Sequence, residues 1–232
     1  ELRDVITVAA TDQSDKRARF SGWGQGIDIA APGVDILSLR ARRTDVRRIM
    51  GTEDYKPGSA FVGPEARYYR ASGTSFAAAF VSGAASLLLA KNPALTNADV
   101  KRILLMSADD VETPGWDQFT GYGRLNVARA LSADPAHFLD ARIERVEIAD
   151  GAGGAVLRVQ GVDDANDYVG AWMEHGRGEV PRQWRKVSPT LRRPVQDGIL
   201  GEVPAVALRG GDRWTLRLVA EHANGRRREA WG

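Results

Sequence analysis

Residues 72–83 read S-G-T-S-F-A-A-A-F-V-S-G, and the run continues as A-A-S-L-L-L-A-K to Lys91 before Asn92-Pro93 stops it. It holds no charge before Lys91, so its spacing predicts a helix from about Thr74 to Lys91. The stretch Phe76 to Ala90 is shorter than the roughly 20 apolar residues a bilayer needs, so a buried core helix is expected and no membrane span. Ser75 falls at the N-terminal end of this helix. The first N–H groups there have no partners within the helix and carry the positive end of its dipole. An oxyanion forming on an attacked carbonyl is stabilised by such donors. Gly73 would let a substrate come close to the backbone, and the Thr74 hydroxyl could donate as well. Two readings of Ser75 follow, a nucleophile mounted on a helix or an N-capping serine. These residues alone favour neither.

On either side of this helix the chain alternates short apolar strands with small-residue helices. V-I-T-V-A-A (5–10), A-R-F-S (18–21), I-D-I-A (27–30) and I-L-S-L (36–39) are expected as strands, with A-P-G (31–33) as a stop. From Arg40 to Tyr69 the sequence is charged and punctuated by Gly51, Pro57, Gly58, Gly63 and Pro64, which predicts a surface excursion. A second helix is expected after Thr96 or Asn97, with Val100, Ile103, Leu104 and Met106 on its apolar side. G-Y-G (121–123) then leads into a short helix, Leu125 to Leu131.

Composition narrows the function classes. The 232 residues contain 43% apolar and 27% charged side chains, with a net charge of +2. Scattered, largely balanced basic residues give no nucleic-acid footprint. Cysteine is absent, which excludes disulfides, thiolate metal sites and cysteine nucleophiles. The three histidines, His137, His175 and His222, all follow Ser75 in the chain and read as surface residues. A serine hydroxyl is a poor nucleophile until a base takes its proton, so the apparatus read from this sequence is partial.

The ordered series V-I-T-V-A-A-T-D, R-F-S-G-W-G, I-D-I-A-A-P-G and S-G-T-S-F-A-A-A-F-V-S-G-A-A-S-L-L-L-A-K-N-P resembles the C-terminal half of a subtilisin-like serine protease domain. L-T-N-A-D-V-K-R-I-L and G-Y-G-R-L-N-V-A-R-A-L are similar to the two segments that close that domain, so the resemblance covers about residues 4 to 131. It implies a parallel-sheet α/β fold and a serine endopeptidase acting on protein or peptide substrates. Ser75 would be the catalytic serine, with its N–H and the Thr74 hydroxyl in the oxyanion hole. The family's triad Asp and His and its oxyanion asparagine precede the segment matching Val5. The expectation is therefore a fragment or processed subunit that lacks the N-terminal half of the peptidase domain and is inactive alone. A catalytically inactive subtilase-like scaffold, serving adhesion or binding, is the alternative. No cofactor is required for the chemistry and no metal ligands are assigned, while a structural calcium is left open. Asp28 matches a position that binds a weak structural cation in some members, against the plainer reading of a hydrogen-bonded carboxylate. Phe20 matches an aromatic beside the leaving-group side of the cleft, or a strand-end core residue. Ala79 and Phe80 stand where many members have proline and histidine, neither of which bears on the base. A secreted, extracellular or periplasmic location is implied.

Beyond His137 the pattern changes to regularly spaced strands: 143–148, 155–159, 168–174, 183–187 and 214–220. Asp150-Gly151, Asp197-Gly198, Gly210-Gly211-Asp212 and Asn224-Gly225 supply turn signals. The segment resembles β-sandwich modules appended to bacterial extracellular proteins, which implies an immunoglobulin- or fibronectin-like domain. The division expected is residues 1–136 for the peptidase part and 137–232 for the sandwich. Trp172, Trp184, Trp214 and Trp231 read as packing residues, or as an aromatic platform for polysaccharide or protein.

Overall fold

Two parallel strands, β1 (Val8–Thr11) and β2 (Ile29–Pro32), pair with Val8 opposite Ile29 and Thr11 opposite Pro32. The computed structural model describes residues 5–40, 60–210 and 213–232. β1 begins three residues later than the alternation suggested. The segment 18–21 is a turn rather than a strand, because the Ser21 hydroxyl accepts from the Ala10 N–H at 3.0 Å and takes the place of a ladder partner. β3 (Ile36–Leu39) pairs antiparallel with β5 (Tyr68–Ala71), which also pairs with β4 (Phe61–Val62). β4 and the start of β5 lie within the stretch expected to be irregular; its residues 41–59 are outside the described residues.

Helix α1 (Thr74–Lys91) matches its expected limits. It packs on β1 and β2 through Ala77, Val81, Ala84 and Leu88, one face of a 3.6-residue repeat. Burial on all sides does not hold. Phe80 is 45% exposed and Leu87 50%, because among the described residues no second layer covers that side. Helix α2 (Asn97–Met106) starts with a capping box: the Thr96 hydroxyl accepts from the Asp99 N–H, and the Asp99 carboxylate accepts from the Thr96 N–H. It adds Val100, Ile103, Leu104 and Leu105 to the core. Helix α3 (Val127–Ser132), capped by Asn126, closes this first core, and Lys91 Nζ donates to the Leu131 carbonyl.

The C-terminal strands form two antiparallel sheets. One has the order β10 (Val195–Pro204), β7 (Gly154–Ala165), β6 (Leu139–Gly151); the other runs β12 (Arg227–Trp231), β11 (Trp214–His222), β8 (Tyr168–Arg177), β9 (Arg185–Lys186). Leu139, Ala141, Val159, Met173, Leu200, Val203, Leu216 and Leu218 from both sheets fill one shared core. Asn224-Gly225 turns β11 into β12, with Gly225 at φ +81°. Asp197-Gly198 is no turn. It lies inside β10 at a register shift, where a glycine accommodates a bulge. Residues 211–212 of the other turn signal are outside the described residues.

The four tail tryptophans are half-buried. Arg217 stacks over Trp184 at 4.2 Å while bonding Glu174 and Glu229, and Trp231 meets Trp184 edge-on. Lys186 and Arg227 flank Trp172, and His175 stacks on Trp214. These rings pack against charged and aromatic neighbours. The two cores touch closely. The Tyr122 hydroxyl donates to Asp140 at 2.7 Å, Arg142 and Arg228 lie over the Tyr122 ring, and the Trp231 N–H donates to the Pro114 carbonyl. Gly115, at φ +90°, passes so near β12 that a Cβ would stand 2.5 Å from the Glu229 carbonyl oxygen.

Candidate active site

Ser75 is held by backbone contacts rather than by its side chain. The N–H of Gly73, the residue capping α1, donates to the Gly33 carbonyl at 2.8 Å, tying the helix start to the end of β2. A Cβ on Gly33 would meet the Ala10 Cβ at 2.6 Å and the Gly73 oxygen at 3.0 Å, so only glycine allows this approach. Beside it the Ser72 hydroxyl accepts from the Asp35 N–H at 2.9 Å. Gly33, just past β2, and the serine ahead of the motif thus position the site; the sequence marked the A-P-G run only as a strand end, though Ala31 and Pro32 still pair within β2.

The capping reading of Ser75 fails on this geometry. The cap is Gly73, Thr74 is the first helical residue and Ser75 the second, and no side chain caps the helix. Ser82 and Ser86 in the same helix donate to the carbonyls of Ala78 and Ser82, four residues back. At the second position no such helical carbonyl exists, and the Ser75 hydroxyl has no hydrogen-bond partner among the described residues. The residue is exposed, and Thr74 beside it is half-buried.

No histidine serves this hydroxyl. His137 and His222 meet edge-on at 4.4 Å, His222 Nε2 lies 3.1 Å from the Asn166 side-chain oxygen, and His175 is stacked on Trp214. His137 follows α3, whose end is tied to Lys91, while Ser75 lies at the opposite end of α1. Sixteen residues of helix place Ser75 about 24 Å from Lys91. Burial lowers the pKa of both His137 and His175, with the nearby His222 and Arg226 adding to the effect on His137. The carboxyls raised by burial, Asp110, Asp117 and Asp163, also belong to other parts of the molecule.

Phe20 is 51% exposed, which removes its core reading. Asp28 is buried; its Oδ2 accepts from the Thr7 N–H at 2.8 Å and its Oδ1 lies 2.9 Å from Lys101 Nζ. Both oxygens are engaged and an ammonium already neutralises the charge, so the residue does not fit a cation ligand. Among the described residues no cluster of three or more carboxylates and histidines is placed to hold a metal. The G-Y-G-R-L-N segment contributes a clamp that spacing did not reveal. Arg124 bridges Asp15 and Asp109, and Asn126 and Arg129 also bond Asp109. Burial pushes the Asp109 carboxyl up, but these hydrogen bonds outweigh it and hold the pKa below its ordinary value.

Residues 1–123 match the profile of the peptidase S8, or subtilase, family. The chain belongs to the subtilase family. Among curated subtilase relatives, the cell wall-associated protease of Bacillus subtilis (strain 168) is 32% identical over 168 aligned positions, covering 62% of this chain and 16% of that protein. Subtilisin BL of Lederbergia lenta is 33% identical over 127 residues, covering 55% of this chain and 38% of the relative. A solved structure of MycP1 from Mycobacterium smegmatis is 30% identical, with a TM-score of 0.41, over 56% of this chain and 30% of that one. This subtilase chain therefore spans well under half the length of the curated relatives it matches.

Proposed function

We propose that Ser75 is the nucleophile of a serine endopeptidase, and that its base and acid come from polypeptide other than this chain's described residues. One observation carries the reading: an exposed, unbonded hydroxyl at the second position of a helix whose first amides are uncapped. Ser75 Oγ attacks the carbonyl carbon of a peptide bond as its proton passes to an imidazole. The oxyanion is stabilised by the Ser75 N–H and the Thr74 hydroxyl. Collapse expels the amine, which takes up the proton, and water then hydrolyses the ester left on Ser75.

Two features support a base from elsewhere. All three histidines have their partners in the C-terminal part of the chain. Phe80 and Leu87 on one flank of α1 and Leu89 on the other are exposed, and a helix apolar on every side is stable when buried on every side. The same polypeptide can cover the Phe80 and Leu87 flank and bring the imidazole. We also infer that residues 137–232 form an immunoglobulin- or fibronectin-like sandwich distinct from residues 1–136. Their separate core and the arrangement of three and four antiparallel strands with crossing connections support this. The name of the cell wall-associated relative supports an extracellular location.

The test is labelling by a fluorophosphonate probe. This chain alone should not react; joined to a polypeptide supplying the family's Asp and His, it should label at Ser75 and cleave casein. Ser75→Ala should abolish both while leaving the melting temperature unchanged. Strong labelling of the chain by itself would refute the external base. A folded, joined protein that neither labels nor cleaves would establish the inactive scaffold instead.

A further inference from the structure

Where the two cores meet, the surface opens into two adjoining clefts of about 450 and 780 Å³ that share Met106, Arg129, His137 and Arg226 as walls. We propose that this junction is a docking site for an acidic peptide segment that also carries apolar side chains. The inference is independent of the chemistry assigned to Ser75.

Charge is the first argument. The smaller cleft is lined by Arg129, Arg226, Arg227 and Arg228 against two carboxylates, Asp110 and Glu229. Both acids are already committed. Asp110 accepts from the Gly115 N–H at 2.7 Å, and Glu229 receives Arg217 at 3.0 Å. Of the arginines, Arg227 is paired with Glu221 and Arg129 with Asp109. Arg226 has no carboxylate within ion-pair distance among the described residues. Arg228 meets the Met106 sulfur at 3.4 Å and the Tyr122 ring, and its charge acts on Asp110 without a direct ion pair. Arg226 thus faces the cleft without an ion-paired carboxylate among the described residues and Arg228 with only the nearby charge of Asp110, and an arginine fork matches a carboxylate in shape as well as sign. The larger cleft adds Asp134 and Asp167, but Asp134 accepts from the Ala136 N–H and Asp167 from the Asn166 side chain.

Size and lining give the second argument. Each cleft falls in the ~300–1,000 Å³ range of small-ligand pockets, so the pair exceeds what a single oxyanion fills. Beside the arginines the wall carries the apolar residues Met106, Pro114, Phe138 and Leu139. An extended segment alternating acidic and apolar residues meets both kinds of surface. A nucleic acid would instead need a continuous basic track, and the apolar Met106, Pro114, Phe138 and Leu139 in the lining break one.

The experiment is fluorescence anisotropy on the full chain with a labelled peptide of alternating glutamate and leucine. Saturable binding is expected at low salt, weakening as salt is raised. Arg226→Glu with Arg228→Glu should weaken it at least tenfold. Arg226→Glu alone, at an exposed side chain without a partner, should weaken it severalfold with an unchanged melting temperature. Ser75→Ala should bind as the parent does. The proposal is overturned if no saturable binding occurs, or if the charge-reversed chains bind equally well. It is also overturned if inorganic phosphate or an RNA oligonucleotide competes as effectively as unlabelled peptide.

Discussion

Asp163 should make the stability of the C-terminal sheets fall as pH rises. It stands on β7 opposite Ala141 and Val195 and is fully buried. One carboxylate oxygen accepts from the Tyr168 hydroxyl and the other has no partner. Desolvation pushes its pKa from 3.8 up to about 7; Asp164 and Asp140 add to the rise, while the Tyr168 bond opposes it. In the unfolded chain an aspartate titrates near about 3.9. Between about pH 4 and 7 the folded chain therefore binds more protons than the unfolded one, and unfolding free energy decreases with pH across that window. Below the window both states are protonated and the stability is fully present; above it the loss is complete. A difference of about three pKa units at ~1.4 kcal/mol each gives a loss of about 4 kcal/mol. That is a large part of the ~5–15 kcal/mol typical of a domain.

Urea unfolding read by intrinsic fluorescence will report it, since four of the six tryptophans, Trp172, Trp184, Trp214 and Trp231, lie in or beside these sheets. At a slope of about 2 kcal/mol/M, the midpoint should drop by about 2 M between pH 4 and pH 8. Asp163→Asn keeps an acceptor for Tyr168 and cannot ionise. The two proteins should unfold at similar urea at pH 4, and the asparagine chain should be clearly the more stable at pH 8. Comparing the pair cancels the other titrating groups. If the gap between their midpoints is the same at both pH values, burial of a titrating Asp163 is wrong.

Gly33→Ala should destabilise the first core by about 1–3 kcal/mol, since its Cβ would stand 2.6 Å from that of Ala10, and should reduce labelling of Ser75 in the joined protein. Adding Ala10→Gly should recover part of the loss, a coupling that a thermal-melt double-mutant cycle would detect. Thr96→Ala breaks the capping box of α2 and should cost about 1 kcal/mol in urea unfolding, with Thr96→Ser close to the parent.

How much the sequence revealed depended on whether the deciding interactions were local. α1 ends where Asn92-Pro93 says it should, and α2 starts at the Thr96 and Asp99 pair, because caps and breakers act within a few residues. Strands β4, β5 and β12 were not legible. β4 and β12 are short hairpin partners whose surrounding arginines and glycines read as loop, while β5 is paired with β3, far off in sequence. Asp197-Gly198 misled for the same reason: a turn-forming pair becomes a bulge once β7 supplies the partner strand. The serine motif itself was plain, but its use was not. Only the position of Gly73 as the cap separates a free hydroxyl from a capping one.

The composition of α1 is the most telling mismatch between sequence and structure. Small and apolar residues lie on every side, so no stripe singles out the buried face, yet only the Ala77, Val81, Ala84 and Leu88 face is covered. Exposed Phe80, Leu87 and Leu89 represent apolar area that burial would stabilise at roughly 25 cal/mol per Å². Whatever packs there gains that energy, and it meets the helix whose first turn carries Ser75. A partner that covers α1 without presenting an imidazole would raise the melting temperature and leave the fluorophosphonate unreacted. One that does both would tie the open face and the unpartnered hydroxyl to a single missing surface.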